Sequence, residues 1–125
     1  MNVVDSSGWL EYLAEERNAD FFASAIENTA ELIIPSISVY EVFKRVSQQR
    51  DEHAALKATA LMMQGQVIPL DTSIALSAAK ISITLSLPMA DSVILATARA
   101  FGAVLWTQDE HFKSIKGVRY IAKKK

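Results

Sequence analysis

Four carboxylic acids occupy positions where a parallel sheet would bring their side chains together. Asp5 ends the short apolar segment that opens the chain, and Asp109 lies just past the apolar run AVLWT. Glu41 lies in the helix predicted after the second strand, and Asp91 in the helix predicted before the fourth. Sites in open parallel sheets gather beyond the carboxyl ends of the strands, so the four acids are predicted to share one crevice.

The chemistry that suits such a crevice is metal-assisted hydrolysis. Four carboxylates repel one another unless protons or a cation neutralise them. Hard oxygen ligands favour Mg²⁺ or Mn²⁺, whereas the absence of cysteine and the presence of only two histidines argue against a typical zinc site. Such ions accelerate phosphodiester hydrolysis by activating a water and stabilising the charge on the leaving oxygen.

Each acid also has a purely structural interpretation. Asp5 could be a loop residue, and Asp109 could begin a turn. Glu41 lies opposite the apolar face of its helix, where the default is a solvated side chain paired with Lys44 or Arg45. Asp91 suits a helix N-terminus through the macrodipole, although its apolar neighbours at helical spacing disfavour a charge. Periodicity alone therefore leaves the function open.

The element with the clearest boundaries is the helix that carries the third acid. Pro88 is a natural first helical residue, and the helix is predicted to run to Phe101 and end at Gly102. It is apolar almost all the way round, with Ser92 and Arg99 forming one narrow polar stripe. A helix of that kind is predicted to be mostly buried.

The other segments alternate between strand and helix patterns. The predicted strands are MNVVD, LIIPS, QVIPL, AVLWT and a last edge strand over 118–122. The predicted helix caps are Ser6 or Ser7, Ser36 or Ser38, Asp51, and Asp71 or Thr72. No hairpin turn signal occurs, which predicts an α/β fold with three α/β/α layers and a central, mostly parallel sheet. The length predicts a single domain over 1–125.

Composition sets the remaining bounds. Half of the residues are hydrophobic, which excludes a disordered chain, and no apolar run approaches the roughly 20 residues that span a membrane. The absence of cysteine and of a signal peptide suits a cytoplasmic protein. Acids dominate the first third and lysines and arginines the end, a distribution that hints at a polyanion approaching one side.

Four segments carry a resemblance to a known family. In order, MNVVDSS, IPSISVYEV, LPMADSVILATA and LWTQDEHF resemble the acidic motifs of PIN domains and, more narrowly, of the toxin subunits of VapBC toxin–antitoxin pairs. The resemblance covers the chain almost from end to end. It implies a PIN-like fold in which Asp5, Glu41 and Asp91 are the principal acids of the metal site. Asp109 matches a fourth acid, and its neighbour Glu110 is the alternative.

The resemblance also implies roles for two hydroxyl side chains and several basic ones. Thr107 matches a hydroxyl residue two positions before the fourth acid, and Ser6 a small hydroxyl residue beside the first; both would orient ligands or water. Candidates for phosphate contacts are Lys44, Arg45, Lys113, Lys116 and the terminal lysines at 123–125.

The implied activity is Mg²⁺-dependent endonucleolytic cleavage of RNA by a homodimer that a cognate antitoxin inhibits. Phe21 and Phe22 are adjacent, so one of them is predicted to face a groove for that partner. A phosphoacceptor receiver domain is disfavoured, because NVVDSS lacks adjacent acids and VRYIA lacks a lysine. A non-catalytic interaction domain on the same fold is the stronger alternative, and it predicts partner binding without a metal response.

Overall fold

The computed structural model, which describes residues 1–124, contains five strands and six helices, with two helices after each of the first three strands. The strands are β1 (Asn2–Val4), β2 (Leu32–Pro35), β3 (Gln66–Ile68), β4 (Val104–Thr107) and β5 (Val118–Tyr120). The helices are α1 (Ser6–Leu13), α2 (Ala19–Ile26), α3 (Ser36–Gln49), α4 (Glu52–Met62), α5 (Thr72–Leu85) and α6 (Met89–Ala100). Short 3-10 turns precede β2 and follow β4.

The sheet has the order β3-β2-β1-β4-β5, and every pairing in it is parallel. Side chains alternate between its faces, so Val3 and Ile33 belong to one core cluster and Val4 and Ile34 to the other. Helices α5 and α6 cover the first face, and α1 to α4 contribute to the second. The predicted α/β/α layering with a parallel sheet is confirmed.

Helix α6 is the most deeply buried of the helices that pack against the sheet. Seven consecutive residues, Ser92 to Ala98, are buried. The prediction of a polar stripe at Ser92 is wrong, because the Ser92 hydroxyl donates to the carbonyl oxygen of Pro88 at 2.9 Å and lies among core residues. Gly102 ends the helix with a φ of +60°, a left-handed conformation that glycine adopts without strain.

The N-terminus of α1 differs from the prediction. The cap is Asp5, whose carboxylate accepts a hydrogen bond from the Gly8 backbone N–H at 2.8 Å. Ser6 and Ser7 lie inside the first turn, so neither is the cap. The candidate site residue and the helix cap are therefore the same side chain.

The other predicted caps have mixed outcomes. Helix α3 has Pro35 at its N-cap and no side-chain cap, because Ser36 and Ser38 both lie within the helix. Asp51 and Asp71 cap α4 and α5, each accepting a backbone N–H from three residues ahead.

Within residues 1–124, no single helix is long and apolar enough to cross a membrane. Helices α5 and α6 reach that length and composition only when joined, and they meet at a bend of 117°.

Candidate active site

Four carboxylates line one open cleft at the edge of the sheet where the parallel strands end. Asp5 follows β1, Glu41 lies in the second turn of α3, Asp91 in the first turn of α6, and Asp109 just after β4. The cleft has a volume of about 400 Å³. We call it the acidic cleft and define it by these four residues, which the sequence had singled out.

Asp5 is the deepest of the four acids, with 2% of its surface exposed. Its carboxylate accepts hydrogen bonds from Gly8 N–H, the Ser7 hydroxyl and the Thr107 hydroxyl, the last at 2.5 Å. Burial raises the pKa of Asp5 to about 7, even though these hydrogen bonds act in the opposite direction. A side chain at position 8 would not fit, since a Cβ there would lie 2.6 Å from the Phe22 ring.

Thr107 joins the first acid to the fourth. This fully buried side chain at the end of β4 donates its hydroxyl hydrogen to Asp5 Oδ2 and accepts the Asp109 backbone N–H at 2.9 Å. Asp109 lines the cleft, whereas Glu110 is exposed and lies outside its lining. Of the two adjacent acids, Asp109 is the one that faces the other carboxylates.

Ser6 joins the second acid to α1. Its hydroxyl donates to Glu41 Oε1 at 2.6 Å across 35 residues of sequence. Within residues 1–124 no ion pair connects Glu41 to Lys44 or Arg45. Glu41 is half-buried, and its carboxylate pairs with the Ser6 hydroxyl instead of with either of these bases.

Asp91 lies beside His111, a residue that the sequence had not assigned to the site. Burial raises its pKa, and the negative charges of Asp109 and Glu41 act in the same direction. His111 Nδ1 lies 2.9 Å from Asp91 Oδ2 and 3.3 Å from Asp109 Oδ1. The hydrogen bond with Asp91 in turn raises the pKa of His111. The only available signal was the position of His111 two residues after Asp109.

The donor atoms of this cleft fit a divalent cation. Asp91, Asp109 and His111 each offer one ligand atom, and the three atoms lie within 4.8 Å of one another. A cation would also relieve the cost of keeping Asp5 and Asp91 charged, which their raised pKa values express. Carboxylate oxygens suit Mg²⁺ and Mn²⁺, whereas an imidazole nitrogen suits first-row transition ions.

The mouth of the cleft is basic and aromatic on the α3 side. Tyr40, Lys44, Arg45 and Gln48 line it, with Lys44 Nζ 5.8 Å from the Tyr40 ring centre. The other predicted phosphate contacts, Lys113, Lys116, Lys123 and Lys124, are exposed but lie outside the lining of the cleft. Lys125 lies outside the described residues.

A buried polar network supports the segment that carries Thr107 and Asp109. The Gln108 amide donates to Glu11 Oε1 at 3.1 Å, and the Asn18 amide donates to Gln108 Oε1 at 2.9 Å. The Asn18 backbone N–H donates to Glu11 Oε2. These residues hold the end of β4 against α1, and no local pattern in the sequence had singled them out.

A groove lined by both apolar and polar side chains adjoins the acidic cleft. It runs between α1, α3 and α4, and Leu10 lines both the groove and the cleft. Its apolar lining comprises Leu10, Leu13, Ala14, Val46, Ala54, Ala58 and Leu61. On α2, Phe22 is fully buried, whereas Phe21 is half-buried and its ring centre lies 5.1 Å from that of Trp106. Phe21 is therefore the more exposed of the two, and a partner site beside it stays a prediction.

Comparisons with known proteins agree with this architecture. A family model described as the PIN domain matches residues 3–118. A search of curated protein sequences finds no match. Among solved structures, a toxin–antitoxin complex from Klebsiella pneumoniae is similar with a TM-score of 0.80 and 21% identity, over 95% of this chain and 96% of that one.

Two further solved structures share the fold. VapC20 from Mycobacterium tuberculosis, a Sarcin-Ricin loop cleaving toxin, has a TM-score of 0.78 and 14% identity over 93% of this chain and 95% of its own. DNA-bound VapBC from Salmonella typhimurium has a TM-score of 0.74 and 19% identity over 97% of this chain and 96% of its own.

Proposed function

The chain belongs to the PIN-domain family, and from that premise we propose that it is a metal-dependent endoribonuclease, the toxin of a type II toxin–antitoxin pair. The observation that carries the proposal is the convergence of four carboxylates from distant segments on one cleft. Burial and mutual repulsion make such a cluster unfavourable without a cation. Metal-dependent catalysis would explain why the chain nevertheless contains this cluster of carboxylates.

The four acids of the cleft would hold Mg²⁺ or Mn²⁺. When bound, the metal supplies an activated water and stabilises the charge that develops on the leaving oxygen. Thr107 fixes the orientation of Asp5 by donating to Oδ2, and Ser6 does the same for Glu41 by donating to Oε1. These two hydroxyls are positioning groups, because they act through the carboxylates.

The proposed substrate is RNA. Lys44 and Arg45 lie at the mouth of the cleft, where they would contact phosphates on either side of the bond that is cut. The name of the Mycobacterium tuberculosis neighbour as a Sarcin-Ricin loop cleaving toxin supports RNA as the substrate class. RNA as substrate places the proposed site of action in the cytoplasm.

The proposed partners are a cognate antitoxin and a second copy of this chain. Structural neighbours named as toxin–antitoxin complexes support the antitoxin. The groove between α1, α3 and α4 suits an apolar segment of such a partner, which would reach the acidic cleft at Leu10. For a homodimer, α5 and the start of α6 offer exposed apolar side chains at Leu76, Ile83 and Met89.

The test compares Asp91→Asn with Asp20→Asn. Both acids lie in the first turn of a helix, but Asp20 is exposed on α2 and lies outside the lining of the acidic cleft. We expect the parent protein and Asp20→Asn to cleave RNA in the presence of Mn²⁺ or Mg²⁺. Asp91→Asn should lose at least about a hundredfold in rate, since it removes a metal ligand with almost no change in volume.

Cleavage is measured on a folded RNA by gel electrophoresis, with EDTA controls and circular dichroism of each protein. Full activity of Asp91→Asn, or activity that EDTA leaves unchanged, would contradict the proposal. A parent protein that binds a partner but neither cleaves RNA nor responds to metal would instead be the non-catalytic interaction domain.

A further inference from the structure

We propose that His111 is a metal ligand, which with Asp91 and Asp109 forms a mixed nitrogen and oxygen site that prefers Mn²⁺ to Mg²⁺. The inference rests on the proposed metal-dependent function and adds to the four acids a residue of another chemical type. Because the inference concerns the atoms that bind the metal, its test detects the atoms bound to Mn²⁺ and does not depend on catalysis.

The distances around His111 suit a shared ion. Its Nδ1 lies 2.9 Å from Asp91 Oδ2 and 3.3 Å from Asp109 Oδ1. Ligands that bind one ion at about 2.1 Å lie roughly 3 Å apart when they occupy adjacent octahedral positions. The three ligand atoms can therefore converge on one ion with small side-chain movements.

The local fold directs the imidazole toward the other two ligands. The Asp109 carboxylate accepts the His111 backbone N–H at 2.9 Å, which caps the 3-10 turn Glu110–Phe112. The next residue, Phe112, is fully buried in the core and anchors that turn. Although 56% of the His111 side chain is exposed, its backbone is fixed from both sides.

The first acid is less available than these three groups. Asp5 already accepts hydrogen bonds from Gly8, Ser7 and Thr107, and only 2% of its surface is exposed. A carboxylate has about four acceptor positions, so few of them remain for a metal in this arrangement. Asp91 and Asp109 are more open, with 17% and 29% of their side chains exposed.

An imidazole ligand changes the preference of the site among metals. Nitrogen donors suit first-row transition ions, whereas Mg²⁺ prefers oxygen donors and keeps several waters. Removal of His111 should therefore lower Mn²⁺ affinity at least about tenfold. Loss of a residue that only orients a ligand already costs about that much, so loss of a ligand should cost no less. Mg²⁺ affinity should change less, so the ratio of the two affinities should fall.

The experiment is electron spin echo envelope modulation of Mn²⁺ bound to the protein without a histidine tag. A nitrogen atom bound to Mn²⁺ modulates the echo at ¹⁴N frequencies, and the only other histidine, His53, is exposed on α4. We expect the ¹⁴N modulation in the parent and in His53→Gln, and its loss in His111→Gln. Calorimetric titrations with Mn²⁺ and Mg²⁺ of the same proteins measure the ratio of affinities.

The outcomes separate the role of His111 from the existence of the metal site. Bound Mn²⁺ without ¹⁴N modulation in the parent, or modulation that persists in His111→Gln, overturns the role of His111 and leaves the carboxylate site intact. An unchanged ratio of Mn²⁺ to Mg²⁺ affinity in His111→Gln also overturns it. A parent protein that binds neither ion overturns the proposed metal site and this inference together.

Discussion

At the scale of single residues, the side chain of Asp5 has two roles. It caps α1 through Gly8 N–H and also forms the floor of the acidic cleft. The cap stabilises the helix, but the burial that comes with it raises the pKa of the carboxyl to about 7. Near neutral pH and without metal, the side chain therefore exchanges between its charged and neutral forms.

This raised pKa predicts how stability depends on pH. In the unfolded chain the pKa of Asp5 is 3.8, so between about pH 4 and pH 7 the folded state holds more protons than the unfolded state. The free energy of unfolding in EDTA should fall as pH rises through this range, by at most roughly 4 kcal/mol from Asp5. Urea denaturation at pH 5 and pH 8 measures the part of this change that lies above pH 5, at most roughly 2.7 kcal/mol.

Asp5→Asn should reduce that difference, and it should be more stable than the parent at pH 8 in EDTA. The raised pKa of Asp91 acts in the same direction, so part of the pH dependence remains in this variant. Asp20→Asn is the control and should behave as the parent does. An equal pH dependence in Asp5→Asn and the parent would show that Asp5 is not the titrating group.

The sequence predicted some residues of the cleft and missed others for a physical reason. Asp5 and Asp109 follow apolar strands, a position that local pattern reveals. The contact between Ser6 and Glu41 spans 35 residues, and that between Asp91 and His111 spans 20, so neither leaves a local signal. Helical periodicity even pointed the wrong way for Glu41, because the side of α3 opposite the core faces the cleft rather than open solvent.

At the scale of secondary structure elements, boundaries were predicted better than caps. Pro88 and Gly102 bracket α6 because proline lacks an N–H and glycine tolerates a positive φ, and both effects are local. Several neighbouring side chains can each cap a helix, so Ser6, Ser7 and Asp5 compete at α1. The direction in which the backbone leaves β1 places Asp5 at the cap position. That direction is set by the sheet and not by the local sequence.

The groove between α1, α3 and α4 predicts where the antitoxin binds. Ala54 lines it, so Ala54→Arg would fill the groove without removing a core side chain. If a small open reading frame next to this gene encodes the antitoxin, its co-expression should relieve growth arrest by the parent but not by Ala54→Arg. The variant should also fail to co-purify with that partner.

Ala60→Arg is the matched control, since Ala60 is exposed on the same helix and lies outside the groove. Both variants should retain nuclease activity. Binding and relief of arrest that are equal in the two variants would place the antitoxin on another surface.

At the scale of the whole molecule, exposed apolar side chains mark a second candidate interface. Ile83 on α5 is 83% exposed. If α5 and the start of α6 form the homodimer interface, Ile83→Lys should shift the protein from dimer to monomer in light scattering after gel filtration. Leu56→Lys on α4, where the side chain is 54% exposed, should leave the dimer intact. Equal masses for both variants would exclude this interface.

The spread of the four acids along the chain has a consequence for protein synthesis. The central strand β1 is made early, yet it pairs with β4, and Asp5 is separated by 102 residues from Thr107, its partner across that pairing. At 5–20 residues per second, this interval takes roughly 5–20 s. A nascent chain therefore has no complete carboxylate cluster while the ribosome is still translating the segments before β4. If the chain is the proposed nuclease, we expect it to leave the RNA that surrounds its own synthesis uncut until Asp109 has emerged and β4 has docked beside β1.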